Sequence, residues 1–233
     1  MLNTRQWLAD VTHLLFPHTC AGCGSDLIER DQHICHQCYT SLPETNFTSF
    51  ANNPIEKMFY GRMTVEEAMA AYYFTKQSVL QQLIHTLKYK NNKKAGVQLG
   101  RWMGLLLKNS NRFKGIDALI PLPLFPEKEK KRGYNQAAVL CEGISEIINV
   151  PVLKDFVLRK RYTDTQTRKG RIERWKNVEG SFEINSSPLS KPHHVLLVDD
   201  VITTGATPEA CGTAIVESGT KLSIAVLAWA SDD

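Results

Sequence analysis

Long apolar runs are missing from the 233-residue sequence. No stretch of 18 or more apolar residues occurs, so a membrane-spanning helix is not expected. Internal repeats and low-complexity tracts are missing too, which excludes solenoids, propellers and tail-like segments. The leading segment MLNTRQWLADVTHLLF has no small-residue cleavage site, and Arg5, Asp10 and His13 interrupt its apolar content. A secretory leader is therefore not expected, and the thiols are expected in a reducing, cytoplasmic compartment. Trp7, Leu8, Val11, Leu14 and Leu15 recur at helical spacing instead, predicting a short amphipathic helix packed on the body.

Net charge is small, +4, but unevenly placed. Residues 159–176 hold eight basic side chains against Asp164 and Glu173, an excess of six, and EKEKKRG at 127–133 forms a second cluster. Such clusters are commonly solvated surface; they are also what phosphate ligands or nucleic acid require.

Four of the six cysteines form one pattern. Cys20 and Cys23 are two residues apart, and Cys35 and Cys38 repeat the arrangement eleven residues later. Two C-x-x-C pairs complete a tetrahedron of thiolates, the closed geometry of structural Zn2+. The rivals are two disulfides, disfavoured by the expected compartment, and a redox pair, disfavoured by the doubled motif. The module either folds a segment that lacks its own core or binds a partner or nucleic acid. Cys141 and Cys211 lie in apolar helical patterns and read as small buried residues.

Past a polar stretch, ETNFTSFANNPIEK, which reads as a linker, strand and helix patterns alternate. EAMAAYYF, DALIPLPL, VPVLKDFVL, SFEI, HHVLLVDD and KLSIAVLAWA read as strands. SVLQQLIHTLKYK with Ser78 as cap, KAGVQLGRWMGLLLKN, NQAAVLCEGISEIIN and TPEACGTAIVESG read as helices. That alternation predicts an α/β fold with a mostly parallel sheet flanked by helices.

Within it, HVLLVDDVITTGAT is strand, turn and helix start. The turn lies where backbone N–H groups and the helix dipole favour a phosphate, with Gly205 allowing close approach and Thr203, Thr204 and Thr207 offering hydroxyls. No lysine follows the glycine, so it is not a Walker loop, and one glycine is too few for a dinucleotide fingerprint. Asp199 and Asp200, just before the turn, can accept hydrogen bonds from vicinal sugar hydroxyls, which points to a 5-phosphorylated ribose. A metal site built by the acids and a simple helix cap are the competing readings.

VLLVDDVITTGAT resembles the phosphoribosyl pyrophosphate (PRPP) motif of type I phosphoribosyltransferases: apolar residues, two acids, then Thr-Gly-x-Thr. IPLPLFPEKEKKRGYNQA resembles a segment of the ComF (late-competence) family within that class. TDTQTRKGRIERWKNVEGSF resembles another, through Thr163, Gln166, Arg174, Asn177, Val178 and Phe182, and four N-terminal cysteines also belong to ComF-type chains. Tyr134 stands where Phe is commoner, and Lys169 where the family is usually apolar.

The resemblance implies a type I phosphoribosyltransferase fold over 58–233, preceded at 1–45 by a helix and a small zinc-binding module. It implies ribose on Asp199 and Asp200, the 5-phosphate on Thr203, Thr204, Gly205, Ala206 and Thr207, and Mg2+ carried with PRPP. Lys131, Arg132 and Gly133 are expected to form the pyrophosphate loop, with Arg132, Arg161 and Arg174 as catalytic charge donors and Lys88 as a lesser candidate. No acceptor pocket is recognisable. The implied activity is phosphoribosyl transfer with pyrophosphate release. The alternative is a competence adaptor that binds single-stranded DNA or competence-machinery proteins and retains PRPP binding.

Overall fold

The computed structural model describes residues 18–27, 32–159, 181–185 and 191–231. The amphipathic segment expected at 7–15 lies outside them. Four strands form the main sheet: β1 (Ala68–Tyr73), β2 (Ala118–Pro121), β5 (His194–Ile202) and β6 (Lys221–Trp229). They are ordered β1-β6-β5-β2, and every neighbouring pair is parallel. Val195 to Val198 are buried because helices flank the sheet, which is why this strand reads as a continuous apolar run rather than an alternating one. A separate antiparallel ribbon joins β3 (Val157–Arg159) to β4 (Phe182–Ile184).

Both edges of the sheet are covered. Along β1, Thr45 N donates to Ala71 O at 3.0 Å and Tyr73 N to Pro43 O at 2.8 Å. Along β2, Leu119 N donates to Pro151 O and Leu153 N to Leu119 O. The strand expected across VPVLKDFVL is therefore two pieces: a single parallel bridge at Val152 and, after a turn, β3. Lys154 and Asp155 occupy the turn, and the ribbon partner that stabilises β3 lies far along the chain.

Seven helices are described: α1 (His36–Thr40), α2 (Pro54–Lys57), α3 (Val79–Tyr89), α4 (Lys93–Asn109), α5 (Pro126–Arg132), α6 (Gln136–Ile148) and α7 (Ala206–Glu217). Local caps set several starts. Ser78 Oγ accepts from Gln81 N at 3.1 Å, Asn92 Oδ1 from Ala95 N at 3.1 Å, and Asn135 Oδ1 from Ala137 N at 2.9 Å.

Two expectations need correction here. The polar stretch at 44–57 is a packed part of the body. Phe47 and Ile55 are buried, and the wholly buried Asn53 caps α2 while its Nδ2 donates to Ala68 O at 2.8 Å. Thr45, Asn53 and Glu56 are buried polar residues of the stretch, and Thr45 and Asn53 bond backbone carbonyls of β1. The segment after ALIPLPL is the short helix α5 rather than an open loop, with Pro126 in its first turn and Gly133 ending it at φ 81°.

Helices α4 and α6 cross closely because their facing positions lack side chains. Gly96, Gly100 and Gly104 recur every four residues on one face of α4. A Cβ at Gly100 would stand 2.2 Å from Leu140 O, and one at Gly143 of α6 would stand 2.1 Å from Val97 O. Neither obstacle is a side chain that can rotate away, so the helices must separate. Gly143→Ala is expected to destabilise the fold by about 2–3 kcal/mol despite alanine's better helix propensity. Urea unfolding checks this; an unchanged or raised midpoint contradicts the packing.

Candidate functional site

The PRPP-like motif folds as strand, turn and helix, with one shift. β5 continues through both acids to Ile202, pairing Asp199 with Val226 and Val201 with Ala228 on β6. Helix α7 then starts at Ala206. Gly205 is its N-cap at φ 76°, and no side chain bonds the first-turn N–H groups. Thr203 and Thr204 are exposed, Ala206 and Thr207 half-buried. Beneath the turn, a Cβ at Gly205 would stand 3.3 Å from the Phe59 ring, a tight contact, and the positive φ is the conformation that calls for glycine.

The two acids have different surroundings. Asp200, buried, pairs with Lys88 Nζ at 3.0 Å. Among the described residues, Asp199 accepts the Asp200 backbone N–H alone, at 2.8 Å. Burial, and then the neighbouring Asp200 carboxylate, push Asp199 up to about 8; the Lys88 and Arg159 cations counter this incompletely.

Lys88 also lines a cleft of about 270 Å³ with Tyr89, Asn91, Lys128, Lys131 and Arg132. The cleft lies between the end of α3 and α5. Lys128, Lys131 and Arg132 recur at i, i+3 and i+4, so a mixed-charge segment turns one cationic face toward it. Arg132 Nη1 donates to Gln136 Oε1 at 2.7 Å. Tyr134 is buried, and its hydroxyl donates to Leu87 O, one residue before Lys88. That bond joins the two walls and gives this tyrosine a role that phenylalanine would not fill.

Arg159 was legible only as one member of a basic run. Its guanidinium lies 3.7 Å from the Phe125 ring centroid and 5.0 Å from that of Phe182, and Nη1 donates to Pro123 O at 3.3 Å. Its Nε is buried with no partner among the described residues. Burial lowers its pKa, while Cys211 and Asp199 act against that shift. Arg161 and Arg174 lie outside the described residues.

The cysteine cluster is a separate centre. All four sulfurs lie within 4.8 Å of one another. Cys20 and Cys38 Sγ are 3.7 Å apart, as are Cys23 and Cys35 Sγ. Four thiolates at about 2.3 Å from one Zn2+ would stand about 3.8 Å apart, whereas a disulfide requires about 2.05 Å. The cluster fits a tetrahedral metal ion such as zinc. It docks on the body: Gln98 Oε1 accepts from His33 N at 2.9 Å and Ile34 N at 3.1 Å, and Tyr39 stacks on Trp102 at 4.3 Å. Thr86 Oγ1 reaches Ala21 O at 3.4 Å. Cys141 and Cys211 are free and buried. Among the described residues, no helix is long and apolar enough to cross a membrane.

No family model matches the chain. It is 31% identical over 196 residues to competence protein F of Haemophilus influenzae, covering 82% of this chain and 75% of that protein. To DNA utilization protein YhgH of Escherichia coli it is 27% identical over 213 residues, covering 90% and 88%. Among solved structures, glutamine PRPP amidotransferase of Bacillus subtilis aligns with a TM-score of 0.41 and 15% identity. That alignment covers 61% of this chain and 30% of that one, so the chain spans under a third of its length.

Two outcomes are expected. A carboxyl that titrates near 4 when unfolded and about 8 when folded makes folding take up a proton between those values, so stability falls as pH rises across that window. The stabilising effect of Asp199→Asn should therefore grow from pH 5 to pH 8; an equal Tm difference at both ends contradicts the assignment. Metal analysis should find one zinc per chain, and chelation should lower the Tm by several degrees while Cys23→Ser abolishes the zinc.

Proposed function

Since the chain belongs to the ComF late-competence family, we propose that it binds PRPP with Mg2+ and transfers the phosphoribosyl group to an acceptor, releasing pyrophosphate. The observation that carries this reading is Lys88, which touches Asp200 and lines the cationic cleft at once. The acid pair that suits ribose hydroxyls and the cations that suit a pyrophosphate are thereby adjacent, as a single ligand carrying both groups requires.

The 203–207 turn holds the 5-phosphate on uncapped N–H groups and threonine hydroxyls. Asp200 accepts a ribose hydroxyl once Lys88 turns into the cleft, and Asp199 accepts the other after losing its proton. Lys88, Lys131 and Arg132 take the pyrophosphate, with Gly133 letting the chain turn beside it. Asp199, which keeps its proton until a cation favours its ionised form, fits a divalent cation arriving with the ligand; Mg2+ would there neutralise charge on the ligand's phosphates. As C1 departs from pyrophosphate with oxocarbenium character, the fixed cations stabilise the charge gathering on the leaving group. Arg161 and Arg174 belong to the same scheme as donors from the 160–180 segment.

A second reading is favoured by the relatives' names, which concern competence and DNA utilization rather than group transfer. In it the chain is an adaptor for single-stranded DNA that keeps PRPP as a sensed ligand. The two differ in one measurement: pyrophosphate release across a panel of nitrogenous acceptors occurs only in the first.

Calorimetry with PRPP and Mg2+ tests what both readings share. The Asp199→Asn/Asp200→Asn variant should bind about a hundredfold more weakly, the loss of roughly 3 kcal/mol of charged hydrogen bonding. Absence of heat from the wild type across a millimolar titration would sink both.

A further inference from the structure

The cationic cleft holds more than PRPP uses, and we infer that it is also a groove for single-stranded DNA, so that PRPP and DNA exclude one another. The exclusion rests on the PRPP reading above; the groove does not. Lys88, Lys128, Lys131 and Arg132 place four cations around about 270 Å³. The pyrophosphate of PRPP travels with Mg2+, which supplies two of the compensating charges itself. More telling is Tyr89, which lines the same cleft and is 65% exposed. PRPP has no aromatic group to lay on it. The ring is not adrift: it lies 4.9 Å from His85, one turn earlier on α3.

Cations lining a cleft beside an exposed aromatic ring are the means by which proteins hold unpaired polynucleotides, phosphates on the charges and a base on the ring. A duplex keeps its base faces stacked and has none to offer Tyr89. Exposed Lys90, Lys93 and Lys94 continue the positive surface past Tyr89 into the start of α4. The names of the relatives favour DNA over RNA. Because Lys88, Lys131 and Arg132 can neutralise a PRPP pyrophosphate or a DNA backbone but not both, each ligand displaces the other. Binding of the small ligand then signals release of the large one.

Fluorescence anisotropy of a labelled oligothymidylate on the full-length protein tests this. Four phosphate contacts on a single strand predict about a 50-fold loss of affinity between 50 and 200 mM salt. Tyr89→Ala should weaken binding about tenfold and Tyr89→Phe should restore it, since a phenyl ring stacks equally well. Lys131→Glu should weaken both the oligonucleotide and PRPP. Saturating PRPP with Mg2+, and separately inorganic pyrophosphate with Mg2+, should each raise the oligonucleotide Kd at least tenfold at constant ionic strength. Oligonucleotide affinity unmoved by pyrophosphate, or by Tyr89→Ala, overturns the inference, and tighter binding of oligouridylate overturns the assignment to DNA. If PRPP gives no calorimetric signal while pyrophosphate still displaces the oligonucleotide, the phosphoribosyl reading falls and the shared groove stands.

Discussion

Two carboxylates on consecutive residues of a largely buried strand are an unfavourable arrangement, and much of the molecule is disposed around that fact. One cation, Lys88, pairs with Asp200. Asp199 is left to burial and to its neighbour's charge, and holds its proton near neutrality as a result. A protein selected for stability alone would place an apolar residue there, as it does at Val195 to Val198 on the same strand. The strain is local, and it is the kind that a ligand with hydroxyl donors and a bound divalent cation would relieve.

Helix α3 connects this electrostatic problem to the rest of the chain. Its Thr86 touches the cysteine module, its Leu87 carbonyl receives the Tyr134 hydroxyl, and its Lys88 meets Asp200. Three successive residues thus contact three separate parts of the structure. The module docks on α3 and α4 and shares the apolar core through Cys20, Leu27, Ile34 and Cys38. A metal held by its four thiolates would therefore brace the helix that carries Lys88.

Features that depend on neighbouring residues were legible in the sequence: the Ser78 cap, the C-x-x-C pairs, the acids before a threonine-rich turn. Those that depend on distant contacts were not. Lys88 ranked low because nothing in HTLKYK announces Asp200, and Arg159 was one charge among eight until Phe125 and Phe182 came together around it. The 44–57 stretch misled for a physical reason. Asn53 is a polar residue that caps a helix and bonds Ala68 O at complete burial, and composition cannot separate that from a solvated linker. In EKEKKRG the mixed signs concealed a one-sign face that appears only once α5 winds.

The bond from the Tyr134 hydroxyl to the Leu87 carbonyl has an energetic consequence for any anion entering the cleft. It fastens one cationic wall to the other, so like charges are held in proximity before a ligand arrives. The repulsion among them is met during folding rather than on binding. A phosphate entering the cleft would find its counter-charges already assembled and would cost the protein little freedom in collecting them, which is preorganisation achieved with one phenol oxygen.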